Sequence, residues 1–144
     1  MKRYAVIALM ACIAFVTLAA TPGNAQVLMK ADVPFNFCVG YGTLPAGQYT
    51  LSRIGLEQSV LLSAGQRGAE IMLPRTIESR SDIRSAKLVF HRYGDEYFLS
   101  EIWTNADDSV RTLSVHPRER QLAKAGVSPQ VAVIYAVLPP ASGN

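Results

Sequence analysis

Two histidines, His91 and His116, and one cysteine beyond the N-terminal segment, Cys38, are the side chains of this chain best suited to chemistry near neutral pH. A hydrolase would set a histidine between a serine and an orienting carboxylate. Serines are plentiful, but the Gly-x-Ser-x-Gly elbow is missing. Zinc requires three or four ligands, usually in local pairs, and there is neither His-x-His nor Cys-x-x-Cys. The acids Glu96 and Glu101 fall on opposite faces of one regular strand, so they are not a glycosidase pair. Asp107-Asp108 lacks the oxygen-ligand spacing of a calcium loop. No phosphate loop or dinucleotide fingerprint occurs. The chemistry leans away from an enzyme, and no metal or cofactor is expected. The catalytic alternative is a small hydrolase using His91 or His116 with a serine.

A binding candidate is stronger than any catalytic one. Arg92, Tyr97, Glu101 and Trp103 share one side of a hairpin spanning Ala86 to Thr104. Aromatic planes beside a cation and an acid suit a glycan, a peptide or a protein partner. The competing reading is an inter-sheet edge, with Arg92 packed over Tyr97 and paired to a carboxylate. Gly94-Asp95 forms the turn, with glycine where φ must be positive. This opposes Tyr93 to Glu96, Arg92 to Tyr97, His91 to Phe98, Phe90 to Leu99, and Leu88 to Glu101. Both faces of this pair carry large apolar groups, which places it inside a sandwich or beneath a helix.

The rest of the chain supplies short strands divided by turns. Strands are expected at Asp32–Val39, Gln48–Ile54, Val60–Ala64 and Ala69–Ile77, with Gly65–Gly68 as the hairpin turn between the last two. Glu78–Ser85 is mixed in charge and reads as a solvated loop. Pro117 at the first helical position, Glu119 at the third and Gly126 as the stop define one short helix. That helix is expected to bury Leu122 and keep its charges wet. Gln130–Leu138 is apolar on both faces and is expected to be the central strand. The predicted fold class is mainly all-β: an antiparallel β-sandwich or partly closed barrel of about seven strands, with one short helix in the C-terminal half.

Compartment follows from the first 25 residues of the 144. Lys2 and Arg3 precede an uncharged apolar run from Ala5 to Ala20, and Thr21-Pro22-Gly23-Asn24-Ala25 ends in small residues. This is the layout of a cleaved secretory signal, shorter than the roughly 20 residues of a membrane span. Leu9-Met10-Ala11-Cys12 faintly resembles a lipidation box, but the apolar run continues past Cys12. One β-rich domain, 26–144, remains. Lys2 and Arg3 account for two of the 14 basic residues against 11 acidic, so that domain carries +1 and lacks a nucleic-acid footprint. Its single cysteine, Cys38, forms no internal disulfide. Burial as a small hydrophobe and an intermolecular disulfide both remain open. The expectations are export to the periplasm or beyond, no spanning segment after cleavage, an unidentified protein, peptide or glycan partner, and self-association through a sheet edge or Cys38. A carrier of a small apolar ligand between the sheets is the third functional alternative.

Four segments resemble, in this order, a group of uncharacterised small exported bacterial proteins. They are Val33-Pro34-Phe35-Asn36-Phe37-Cys38-Val39-Gly40, Leu44-Pro45-Ala46-Gly47-Gln48-Tyr49-Thr50, the run from Lys87 to Leu99, and Arg118-Glu119-Arg120-Gln121-Leu122-Ala123. The resemblance implies export and a self-contained domain, and it carries no activity or site. Taken together, the expected role is a non-catalytic binding or structural module of the cell envelope.

Overall fold

Alternating apolar residues force this chain into strands, and two sheets bury the resulting faces against each other. The computed structural model describes residues 25–54, 59–64, 67–69, 76–79, 84–106 and 108–139. Positions 1–24 with Cys12, 55–58, the expected turn residues Gly65-Gln66, positions 70–75 and 80–83, Asp107 and the residues after Pro139 lie outside them. The first sheet runs β1 (Gln26–Val33), β4 (Gly47–Ile54), β5 (Ser59–Ala64) and β6 (Arg67–Ala69), all antiparallel. The second runs β11 (Gln130–Tyr135), β8 (Lys87–Tyr93), β9 (Glu96–Thr104), β10 (Ser109–Thr112) and β7 (Thr76–Ser79). At the hairpin end of β9, a parallel bridge from Cys38 to Phe98 adds β2 (Phe37–Val39), which pairs with β3 (Gly42–Leu44). The protein is a β-sandwich with one short helix, α1 (Pro117–Lys124), and not a closed barrel.

The core lies between the sheets. Leu28, Met29, Val33, Tyr49, Leu51, Val60 and Leu62 of the first sheet meet Phe37, Leu88, Phe90, Leu99 and Ile102 of the second. Phe37 stands edge-on to Tyr49 across the interface (5.2 Å between centroids) and to Phe90 within its own sheet (5.3 Å). These contacts fill the described inner positions with rings at favourable edge-to-face angles. The Tyr49 hydroxyl donates to the Pro45 carbonyl, and Asn36 Oδ1 accepts from the Ala46 amide at 2.9 Å. The Leu44–Gly47 connection is thereby tied to both of its neighbours.

Three expectations need correction. The first strand starts at Gln26 and breaks at Pro34–Asn36, where proline has no N–H to donate. The run Ala69–Ile77 does not form one strand: Ala69 ends β6 in the first sheet, and Thr76-Ile77 open β7 in the second. Most importantly, β11 is an edge strand rather than the central one. Its Ala132 and Ile134 pack on the core, while Val131, Val133 and Tyr135 on the opposite face look outward. Beyond it the chain crosses to the first sheet, where Lys30 and Val137 exchange both backbone hydrogen bonds (2.9 and 2.8 Å). That bridge ties the two sheets together along one side.

The hairpin closes where the sequence places its turn, and Gly94 has φ +62°. A Cβ in that conformation costs about 1 kcal/mol or slightly more. Gly94→Ala is therefore expected to lower stability by about that amount, read as a shift of the urea midpoint. An unchanged midpoint would show that the turn is not held there.

Candidate functional site

The second sheet keeps one face free of the sandwich, and every polar candidate of the hairpin must be placed relative to it. Strand pairing sets that face in rows. Tyr135, Lys87 and Trp103 stand side by side, as do Val133, Val89 and Glu101, and then Val131, His91 and Phe98. Helix α1 and its cap cover His91 and Phe98 of the third row, while Val131, Val133 and Tyr135 stay exposed.

The four residues expected to form one patch are divided between the two faces. Register follows the expectation from Tyr93–Glu96 to Phe90–Leu99 and then slips by one, so that Leu88 opposes Ile102 rather than Glu101. Ser100 and Glu101 together stand opposite Val89, a β-bulge that reverses the facing of everything after it. Arg92 and Tyr97 consequently lie on the core side, Glu101 and Trp103 on the outer side. Tyr97 stacks on Phe35 (3.7 Å, 12° between planes), which sits edge-on to Phe90. Arg92 packs over Tyr97 at 5.4 Å, donates from Nε to the Gly94 carbonyl at 2.7 Å, and approaches Asp95 to 3.9 Å. This is the inter-sheet edge described above as the competing reading. On the outer side Lys87 Nζ lies 4.1 Å from the Trp103 ring centre, and Trp103 Nε1 donates to Glu101 at 2.7 Å. The bulge also places Glu96 and Glu101 on the same face, against the expectation of opposite faces. Each is engaged separately, Glu96 by Arg118 at 3.2 Å and Glu101 by Trp103.

The histidines belong to the seating of the helix. His116 is the N-cap, and its Nδ1 accepts the Arg118 amide at 3.1 Å, so that nitrogen carries no proton there. His91 Nδ1 lies 2.6 Å from Glu119 Oε1, and the Tyr93 hydroxyl hydrogen-bonds the same carboxylate. Glu119 is only 5 % exposed, so the expectation that the helix keeps its charges wet fails at this residue. A carboxylate in the first turn is favoured by the helix dipole and here also by two donors two positions apart on β8. Phe98 and Tyr93 pack edge-to-face beneath the helix at 5.8 Å. Burial raises the Tyr93 hydroxyl above its ordinary pKa of 10.0, and the neighbouring Glu119 charge and hydrogen bond raise it further. Burial alone raises Tyr49.

A histidine oriented by a buried carboxylate is two-thirds of a catalytic triad. Among the described residues neither histidine hydrogen-bonds a serine hydroxyl, and no three metal-binding side chains converge. Cys38 is half-buried, free, and 3.5 Å from the Thr43 hydroxyl. No helix among the described residues is long and apolar enough to cross a membrane. Sequence reasoning missed Glu119, Lys87 and the outward face of β11; the one available sign was His91 and Tyr93 sharing a face that needed a cover. Comparison with family models, curated proteins and solved structures finds no match.

Glu119→Gln is expected to destabilise the fold by about 1 to 3 kcal/mol, because a buried charged acceptor is lost between two donors. Chemical denaturation measures it, and a loss below a few tenths would show that the helix is held by packing alone. The raised Tyr93 hydroxyl contributes stability that is complete below its unfolded pKa and disappears as pH rises through the higher folded value. Wild-type stability should thus fall above about pH 10. Tyr93→Phe should flatten that alkaline decline, leaving the part due to Tyr49.

Proposed function

We infer that the protein is an exported, non-catalytic β-module of the bacterial cell envelope that acts by surface contact, and that it belongs with the small exported proteins its four segments resemble. The observation that carries this reading is the open side of β11. Val131, Val133 and Tyr135 are 67 %, 39 % and 69 % exposed on a strand at the sheet edge. Polar side chains on the neighbouring hairpin are engaged in structural contacts: Arg92 at the turn, Glu96 with Arg118, His91 with Glu119. An envelope module offers such an edge to a protein, a peptide or another copy of itself. Residues 1–25 have the composition of the export signal, and the first strand starts at Gln26, directly after the expected cleavage point.

Two measurements on cells expressing the full chain test this reading. The protein should appear in the periplasmic or culture fraction, with a mass showing that it begins at Gln26. An intact Met1 and a cytoplasmic location would remove the export half. The purified protein should turn over no ester or glycoside substrate. Turnover abolished by His91→Ala would replace the module with the hydrolase.

A further inference from the structure

We propose that β11 pairs antiparallel with β11 of a second copy, about a two-fold axis at Val133, joining two copies into one continuous sheet. This rests on the surface-contact reading above and names the partner. The backbone phase of the strand is fixed by one bond: the Ala136 amide donates to the Ala86 carbonyl at 2.9 Å, on the β8 side. Alternate residues of an antiparallel strand turn their N–H and C=O in opposite directions. Ala132, Ile134 and Ala136 therefore face β8. Val131, Val133, Tyr135 and Val137 face away from it. Val137 spends both groups on Lys30 of β1. The amides and carbonyls of Val131, Val133 and Tyr135 are left at the free edge, with no backbone partner among the described residues.

The limits of this window choose the register. Pro129 has no N–H and stands just before the strand; the Lys30–Val137 bridge closes the other end. Val133 is the midpoint of what remains. Rotation about it sets Val133 against Val133 of the second copy and Val131 against Tyr135 of the second copy, so all three residues exchange both backbone groups. The outward side chains meet as apolar pairs, valine on valine and valine on tyrosine, which stabilise antiparallel strands. On the outer face the row through Val133 would continue unbroken from Val89 of one copy to Val89 of the other.

Charge selects a second copy over an unrelated strand. Edge strands are normally protected by a lysine, another charge or an internal proline. From Ala125 to the last residue, Asn144, this chain holds no charged side chain. Two like strands brought together here meet no like charges, and an uncharged strand offers nothing to select a charged peptide. The join is isologous and closes on itself, so it yields a dimer and not a fibre. An edge join of one short strand is small beside an obligate interface, so copies should exchange freely in solution.

A charge-swap at the axis tests this, because residue 133 meets only itself. The chain is expressed from residue 1 and purified as the cell leaves it. Its mass in solution is followed over a range of concentrations by light scattering and sedimentation, for wild type, Val133→Lys and Val133→Glu. Each variant alone should raise the dimer dissociation constant roughly tenfold or more, since like charges then sit directly opposite. Mixing the two variants should restore the dimer as a mixed pair, which also shows that both still fold. Circular dichroism checks each separately. A wild type that stays monomeric overturns the proposal, as does association that all variants share equally, or variants that fail to recover on mixing. A monomer recovered from the envelope fraction would sink the dimer and leave the exported module standing. A dimer found in the cytoplasm would do the reverse.

Discussion

Val89 of β8 faces two residues of β9, Ser100 and Glu101, and the hairpin depends on that extra residue. A regular nine-residue strand would send alternate side chains to each face without interruption. With the bulge, Leu99 and Ile102 both enter the core, while Phe98 and Trp103 both look outward. The Leu113 amide donates to the displaced Ser100 carbonyl at 2.8 Å, so the irregularity leaves it bonded. One strand thereby serves the inter-sheet core with one part of its length and a second, smaller core beneath α1 with the other. The same device recurs in β1, where a shift between Val27 and Met29 lets the consecutive residues Leu28 and Met29 both be buried.

The second core explains why the histidines sit where they do. Outward residues near the turn include Phe98 and Tyr93, too apolar to be left in water. The helix that covers them brings an acid, Glu119, into a buried position, and a buried carboxylate is tolerated only when donors meet it. His91 and Tyr93 are those donors. A similar logic holds inside the far end of the sandwich. There the buried Arg111 donates to the hydroxyls of Thr104 and Ser109, which also bond each other at 3.0 Å. The polar residues that could pass for a reaction centre are held by structural demands.

Beyond α1 the chain is built differently. It carries no charge, crosses from one sheet to the other, and exposes an apolar face at a sheet edge. Val131, Tyr135 and Val137 are each more than two-thirds exposed there, an apolar surface unlike the charged faces of α1.

The sequence by itself determined the local elements. Alternation located most strands, Gly94-Asp95 located the hairpin turn, and Pro117 and Gly126 bracketed the helix, because each of these signals acts within a few residues. It also offered the edge position of Arg92 over Tyr97 as one of two readings of the hairpin. Only the tertiary structure decided the rest. A bulge of one residue leaves no mark in composition, yet it carried Glu101 and Trp103 to the face opposite Arg92 and Tyr97. Hydropathy reports that both faces of Gln130–Leu138 are apolar, but what covers each face depends on distant strands. Among the described residues β8 pairs along one side of that strand, and β1 approaches the other with its one backbone bridge at Lys30 and Val137, which leaves the strand at the rim of the sheet.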